Sequence, residues 1–348
     1  MATMNGSAGL RRLVRPVVLL ALSLAAGWII IGLVGAVDWQ AVGDALGQLH
    51  LWQLVLLVAV VVLRQALNAW PLAIFIDGLG LPRAVVNDQA SILMCTLAPP
   101  PADLAIRMTM FAGWGIDVSR GLAGVVMNTV SFYVVRWSAP VIGFVLVLTD
   151  RFDSSFATGA LAGGLAALAL VVAIWVIASG ASAARWVGRS AGRVVRVVRR
   201  SVDPDVWAQS VATFRGHIAD KLRRGFPRSL LALLAMMVCD ATALLLAVRF
   251  VGVSSDALPS IEIVAAYFLT YPLTMLPVFG IGALDAAAVA IMVAYAGISY
   301  EAPLVAAMIV WRAVTIGTPL TLGAFAVLLW RRMGPAPDPV APTAPASG

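Results

Sequence analysis

The sequence predicts an all-α, polytopic membrane protein of about six full spans plus two re-entrant helical hairpins, arranged as inverted-repeat halves. The first observation is composition: 61% of the residues are apolar and only 12% are charged, against about 25% charged residues in a soluble domain. The second is that several apolar runs reach the roughly 20 residues with which a helix crosses a bilayer. The third is a pair of proline-broken apolar segments at corresponding places in the two halves, which is typical of transporters.

The full spans are predicted from the length of each apolar run. They cover residues 17–37, 51–76, 121–148, 157–180, 229–250 and 303–330. The first run is longer than the apolar region of a cleavable signal peptide, so we expect it to be retained as a helix. The regions 84–111 and 264–298 are too broken by proline to be single spans, and we expect each to enter the bilayer and return as a re-entrant hairpin.

Basic residues flank the spans unevenly. They precede the first span at Arg11, Arg12 and Arg15, are frequent between residues 183 and 228, and follow the last span at Arg331. By the positive-inside rule these regions are cytoplasmic, so we expect a multi-pass protein of the cell (inner) membrane with both termini in the cytoplasm. The first hairpin then joins two spans on the cytoplasmic side and the second joins two on the outer side, which makes the halves inverted copies.

The chain divides by composition into four parts. These are a first transmembrane half, residues 1–182, with the hairpin 84–111; a basic cytoplasmic connector, 183–228; a second transmembrane half, 229–332, with the hairpin 264–298; and a tail, 333–348. The tail consists almost wholly of proline, alanine and small polar residues, so we expect it to be disordered.

The connector carries arginines at helical spacing. Arg185, Arg189 and Arg193 recur every four residues beside Trp186, the pattern of an amphipathic helix that contacts anionic leaflet lipids. The alternative is a plain cytoplasmic connector that follows the positive-inside rule. Membrane topology explains the net charge of +7, so no nucleic-acid partner is expected.

Charged and polar residues inside apolar segments are the candidate substrate-binding groups, because such residues usually face a partner or a cavity. Arg64 and Asn68 lie four apart on one helix face, as do Asp103 and Arg107 directly after three prolines. The predicted substrate-binding residues are Arg64, Asn68, Asp103, Arg107, Arg136, Asp285, Arg312 and Thr315. Guanidinium groups dominate the set and bind phosphate oxygens bidentately, so an anionic, phosphate-bearing substrate is the simplest complement.

Structural roles remain open for the same residues. Asp103 and Arg107 are equally consistent with an ion pair that locks the hairpin. A less favoured alternative for Arg64 and Arg136 is that their side chains snorkel toward the interface. The re-entrant turns are predicted at Pro99, Pro100 and Pro101 in the first half and at Pro277, Gly280 and Gly282 in the second. These glycines fit either a close helix approach or an open backbone that faces a ligand.

Enzyme signatures are thin, and we expect no catalytic activity, no cofactor and no metal site. Only two histidines occur, His50 and His217, so no histidine-based triad or metal site can form inside the membrane. The sequence has no G-x-x-x-x-G-K-[ST] loop and no G-x-G-x-x-G turn after a strand. A carboxylate-based transferase that uses Asp103, Asp240 or Asp285 stays an alternative, although we expect Asp240 to pair with an arginine for packing.

Two sequence runs carry turn motifs in a specific order. In LAPPPADLAIRMTMFAGWGIDVSRGLAGVVMNTV, a Pro/Gly turn, an arginine and a Gly-containing turn match Pro99, Arg107 and Gly115. In LPVFGIGALDAAAVAIMVAYAGISYEAPLVAAMIVWRAVTIGTPLTLG, the matching residues are Leu276, Pro277, Gly280, Gly282, Asp285, Arg312, Thr315, Pro319 and Gly323. With these motifs the chain resembles the lysylphosphatidylglycerol synthase transmembrane region, also called the flippase-like family, over roughly residues 15–332.

The chain departs from this family at two points, since Pro101 and Ala102 replace glycines of the first turn and Asp285 replaces the usual glutamate. No soluble aminoacyl-transferase domain follows Trp330, so we expect no aminoacyl-lipid synthesis by this chain alone. The resemblance implies flippase-like movement of an anionic lipid, a phospholipid or a polyprenyl-phosphate-linked glycolipid, between leaflets. The alternatives are an accessory scaffold for a lipid-linked glycosyltransferase, with a lipid-synthesising enzyme as partner, and an intramembrane lipid transferase.

Overall fold

The fold is all-α in the part of the chain that the computed structural model describes, which comprises residues 39–47, 49–98, 101–148, 157–198, 203–276 and 280–334. Within these residues no β-strand occurs. The helices are α1 (Trp39–Gly47), α2 (Leu51–Phe75), α3 (Gly80–Leu97), α4 (Ala102–Gly113), α5 (Val118–Leu148), α6 (Ala157–Ser179), α7 (Ala181–Val198), α8 (Pro204–Phe250), α9 (Ser260–Thr270), α10 (Ala283–Ala296) and α11 (Glu301–Trp330). Short 3-10 segments, Tyr271–Met275 and Ile298–Tyr300, follow α9 and precede α11.

The multi-pass fold class is confirmed by the length and composition of the helices. Among the described residues, four stretches are long and apolar enough to cross a membrane: Leu51–Phe75, Val118–Val147, Arg224–Phe250 and Ile298–Trp330. They coincide with four of the predicted spans. α6 covers the predicted span 157–180 and includes a shorter apolar stretch, Leu161–Ala173. The predicted span 17–37 and residues 335–348 of the predicted tail lie outside the described residues.

Both proline-broken regions form pairs of helices. In the first, α3 and α4 pack against each other, and in the second, α10 packs beside α9. α4 and α10 have 12 and 14 residues. At 1.5 Å per residue they are about 18 and 21 Å long, too short to cross a hydrocarbon core of about 30 Å. Whether each pair leaves the bilayer on the side where it enters stays a prediction.

The basic connector is helical and continuous with the fifth predicted span. α8 runs for 47 residues, about 70 Å of helix, so the predicted boundary after residue 228 falls inside one helix. Pro227 lies within α8 and does not end it, although a proline inside a helix removes one backbone hydrogen bond. Its neighbours Phe226 and Ser229 are buried, and this packing holds the helix on both sides of the proline.

α7 is amphipathic and pairs with α8. Ala184 and Gly188 are buried, and small residues four apart allow the two helices to lie close together. The arginines on α7 are exposed at positions 185, 189, 193 and 196. One of them, Arg189, forms a surface ion pair of 2.8 Å with Asp205 of α8. Contact of this helix with anionic lipids stays a prediction.

The core forms around the second half of α8. This stretch packs against α2, α5, α9 and α11, and Leu57, Leu233 and Met236 are among its fully buried side chains. A second cluster lies where α2 meets α3 and α4, around Leu72 and Phe111. Lipid tails are as apolar as these side chains, so the helices associate mainly through close packing.

The two proline-broken regions, α3–α4 and α9–α10, are the interrupted elements of the fold, and two glycines bring them close to full spans. A Cβ atom at Gly323 of α11 would lie 2.7 Å from the backbone oxygen of Gln89 in α3. A Cβ atom at Gly143 of α5 would lie 2.9 Å from the backbone nitrogen of Leu269 in α9. Because backbone atoms cannot move aside as a flexible side chain does, only glycine allows these approaches.

Gly323→Ala should therefore lower stability, because the added methyl group meets backbone atoms of α3. We expect a loss of about 1–3 kcal/mol in the free energy of unfolding, the usual cost of overpacking. Gly317→Ala is the matched control on α11, since no atom lies within 4 Å of its added Cβ; it should be neutral or slightly stabilising. The measurement is thermal unfolding of both variants in detergent, and equal midpoints contradict the close-contact role of Gly323.

Single cysteines test the predicted re-entrant path. In a background with Cys95→Ser and Cys239→Ser, we expect the exposed positions Ser255→Cys and Ser299→Cys to react with a membrane-impermeant maleimide from the outer face. The exposed position Ser119→Cys, beyond the first pair of helices, should react from the cytoplasmic face. Reaction of positions 255 and 299 from opposite faces contradicts the re-entrant path. Reaction of positions 119 and 255 from one face contradicts the inverted repeat.

Candidate functional site

A cavity of about 250 Å³ lies between the two interrupted elements. Thr96, near the end of α3, and Thr274, in the 3-10 segment after α9, both contribute to its wall. Full spans complete the wall: α2, α5, α8 and α11 each supply at least one side chain. Five of the predicted substrate-binding residues line it: Arg64, Asn68, Arg136, Arg312 and Thr315.

Arg64 is held by a carboxylate of α8. Its Nε lies 3.2 Å from Asp240 Oδ2, and the Tyr267 hydroxyl donates to the same oxygen over 3.0 Å. Arg64 also donates to Gln65 Oε1, and the Gln65 amide donates to Gln89 of α3 over 3.1 Å. The predicted pairing of Asp240 with an arginine is confirmed, and both partners also line the cavity.

Arg312 connects the cavity to the second interrupted element. Its Nε donates to Asp285 Oδ1 over 2.7 Å, and Asp285 Oδ2 accepts from the backbone nitrogen of Gly282 over 2.8 Å. Gly280 and Gly282 have φ values of 69° and 86°, the left-handed region that favours glycine. Turn geometry therefore requires these glycines, and Asp285 caps the start of α10. Asp285 itself does not line the cavity and reaches it through Arg312.

Arg136 is held by aromatic rings instead of a carboxylate. Its Cζ lies 4.4 Å from the ring centroid of Phe132, 5.7 Å from that of Tyr133 and 5.8 Å from that of Tyr271. Within the described ranges no carboxylate forms an ion pair with Arg136, and its Nε has no hydrogen-bond partner. Cation–π contacts stabilise a charge without neutralising it, so Arg136 presents a positive charge at the cavity.

The charges around the cavity do not balance. Arg64, Arg136 and Arg312 line it, and the carboxylates that contact these arginines are Asp240 and Asp285. Three positive groups against two negative groups leave one net positive charge. In a bilayer the surrounding medium screens this charge weakly, so the cavity favours an anion.

Arg107 lies outside the cavity, in a polar network between α4 and α3. It donates to Asp88 Oδ1 over 2.7 Å and to Asn87 Oδ1 over 2.9 Å. The considered pairing of Arg107 with Asp103 is thus wrong: the ion partner is Asp88, because α3 packs beside α4 and turns its buried polar face toward the guanidinium. Asn68, which lines the cavity, donates to the other oxygen of Asp88 over 2.7 Å. The network therefore connects α3 and α4 to the cavity wall.

The remaining predicted residues that the structure describes lie outside the cavity or contribute to it without an ion pair. Asp103 lies in the first turn of α4 and does not line the cavity. Thr315 lines the cavity while its hydroxyl donates to the backbone oxygen of Trp311 over 2.7 Å. Pro101 directly precedes α4. The predicted turn residues that lie outside the described residues are Pro99, Pro100 and Pro277.

Sequence reasoning missed the polar face of α3. Asn87, Asp88, Gln89 and Ser91 are all buried, and they form a polar run inside the predicted hairpin 84–111. Such a run in an apolar segment indicates buried partners, so a signal was present. The partner of Asp88 lies 19 residues further along the chain, a separation that no helical spacing predicts. The aromatic residues around Arg136 gave no signal, because aromatic residues are common in membrane spans.

Comparisons with known proteins give a match to a protein family. No curated protein and no solved structure matches it. The family described as the lysylphosphatidylglycerol synthase TM region matches residues 17–323, a range that contains both interrupted elements and every residue that lines the cavity. This match supports a membrane lipid-related role. The chain belongs to the lysylphosphatidylglycerol synthase TM region family.

Proposed function

We propose that this protein moves an anionic lipid, a phospholipid or a polyprenyl-phosphate-linked glycolipid, between the leaflets of the cell (inner) membrane, and that it is not an enzyme. The observation that carries the proposal is the cavity between the interrupted elements, with its net positive charge and its unneutralised Arg136. The predicted opposite orientation of the two elements would give each leaflet a route to the same site.

The size of the cavity supports a headgroup site. Its volume of about 250 Å³ is slightly below the roughly 300–1,000 Å³ of pockets that enclose a whole drug-sized ligand. A phosphate-bearing headgroup fits such a space, while acyl chains stay outside it. The aliphatic side chains of Ile92, Ile316 and Leu320 also line the cavity, and they give the first carbons of a lipid an apolar surface.

The arginines differ in their readiness to bind phosphate. Removal of one partner of a buried ion pair costs about 3–5 kcal/mol, so Arg64 stays with Asp240 and Arg312 stays with Asp285. Arg136 gives up no carboxylate when an anion arrives, and a guanidinium can hold two phosphate oxygens at once. Arg136 is therefore the principal phosphate ligand, and the two paired arginines add to the field around it.

Two alternative functions have weaker support. An accessory scaffold needs no cavity, and a closed interior in which every arginine is ion-paired would favour it; Arg136 departs from that pattern. An intramembrane transferase needs carboxylates that converge on a cleft. Of the three candidate carboxylates, Asp240 lines the cavity, whereas Asp103 and Asp285 do not.

Arg136→Gln should slow translocation about tenfold or more, because a hydrogen bond to a charged group contributes about 1.5–3 kcal/mol. Arg136→Lys should keep part of the rate, since an ammonium supplies charge but not the two-pronged geometry. The measurement is the rate at which fluorescent phosphatidylglycerol changes leaflet in proteoliposomes, read by quenching of the outer leaflet.

The matched control is Arg120→Gln, an exposed arginine at the start of the same helix α5. It should leave the rate within about twofold of wild type, because an exposed charge contributes about 1 kcal/mol or less. Equal rates for Arg136→Gln and Arg120→Gln contradict the proposed site. A wild-type protein that does not accelerate translocation at all favours the scaffold.

A further inference from the structure

Apart from atoms of the ion-paired Arg64 and Arg312, three buried polar atoms on side chains that line the cavity have no hydrogen-bond partner among the described residues. They are Asp240 Oδ1, Trp311 Nε1 and Arg136 Nε. Asp240 and Trp311 are each only 3% exposed. Buried polar groups are nearly always hydrogen-bonded, and an unpaired buried group beside a cavity is available to bind a ligand. These atoms therefore determine which hydrogen-bonding groups a ligand in the cavity must have.

The three atoms need two different kinds of hydrogen-bond partner. Trp311 Nε1 and Arg136 Nε are donors and need an acceptor, which a phosphate oxygen provides. Asp240 Oδ1 is an acceptor and needs a donor, because Arg64 and Tyr267 both contact the other oxygen, Oδ2. The terminal torsion of an aspartate is broad, so the carboxylate can turn its free oxygen toward an arriving donor. A bare phosphate diester supplies no such donor.

Charge decides between the two donors that lipid headgroups offer, hydroxyl and ammonium. Arg64 already contacts Asp240, and Arg136 and Arg312 line the same small cavity. An ammonium beside Asp240 would face these guanidinium groups at short range in a weakly screening medium, where like charges repel strongly. A hydroxyl satisfies the carboxylate without added charge. The volume of about 250 Å³ leaves room for a phosphate and a short polyol.

Resting on the function proposed above, we propose that the cavity selects lipids whose phosphate carries a hydroxyl-bearing headgroup, with Arg136 and Trp311 on the phosphate and Asp240 on a hydroxyl. Asp240 thereby acts as the specificity-determining residue, and Arg136 as the group that holds the anion. An alkyl headgroup lacks the donor for Asp240, and an amine headgroup brings a donor whose positive charge the nearby guanidinium groups repel.

The test compares lipids that differ only in the headgroup. Purified full-length protein in neutral detergent is titrated with dioctanoyl phosphatidylglycerol and with dioctanoyl phosphatidylpropanol, which has the same charge and carbon number but no hydroxyl. We expect phosphatidylglycerol to bind about tenfold more tightly, the effect of one hydrogen bond to a charged acceptor. Dioctanoyl phosphatidylethanolamine should bind more weakly than phosphatidylglycerol. The readout is the ligand-induced shift of thermal unfolding, fitted to a dissociation constant.

Variants assign the preference to its residue. Asp240→Asn should reduce the preference for phosphatidylglycerol over phosphatidylpropanol to about threefold or less, because a neutral amide oxygen is the weaker acceptor. Arg136→Gln should weaken both lipids alike. If Asp240→Asn does not fold, the wild-type ratio alone decides whether the cavity selects a hydroxyl.

The outcomes separate this inference from the proposed function. Equal wild-type affinities for the two anionic lipids, both lost in Arg136→Gln, overturn the hydroxyl preference and leave the anion site standing. Tighter binding of phosphatidylethanolamine also overturns it. If neither anionic lipid binds saturably, or if Arg136→Gln changes nothing, the proposed function itself fails.

Discussion

The placement of guanidinium groups inside an apolar helix bundle is the constraint on which the rest of this structure depends. An arginine in hydrocarbon needs a partner. Of the four arginines at or next to the cavity in the described part of the chain, three have a carboxylate partner on another helix. Arg64 pairs with Asp240 across α2 and α8, Arg107 with Asp88 across α4 and α3, and Arg312 with Asp285 across α11 and α10. Such pairs add little net stability when formed, but the loss of one partner is costly. They therefore fix which helices are neighbours.

Arg136 follows a different rule, and the difference creates the site. Its contacts are the faces of Phe132, Tyr133 and Tyr271, which favour a cation electrostatically but leave its charge in place. A carboxylate in place of one of these rings would neutralise the net charge of the cavity and remove its attraction for an anion. The cavity thus combines walls made rigid by ion pairs with one charge that is available to a ligand.

In each half of the chain, one aspartate connects the interrupted element to the rest of the helix bundle. In the first half, Asp88 of α3 binds Arg107 of α4 and also accepts from Asn68 on the cavity wall. In the second half, Asp285 caps α10 and binds Arg312 on the cavity wall. In both cases one aspartate contacts the turn or hairpin on one side and a cavity residue on the other. Asn68 and Arg312 therefore join the cavity wall to α3 and α10.

The sequence by itself determined the all-α membrane class, four of the spans, the two proline-broken elements and five of the residues that line the cavity. Composition and helix length carry the class and the spans, because the apolar interior of the bilayer sets the first and its thickness sets the second. The cavity residues were predicted because polar side chains inside apolar segments usually face a partner or a cavity. The partner of Arg107, the availability of Arg136 and the polar face of α3 were decided only by tertiary structure. Asp103 stands at i−4 of Arg107 and looks like its partner on a helical wheel, yet Asp88 takes that place. Contacts between helices join residues far apart in the chain, and no local spacing encodes which buried charge will meet which carboxylate.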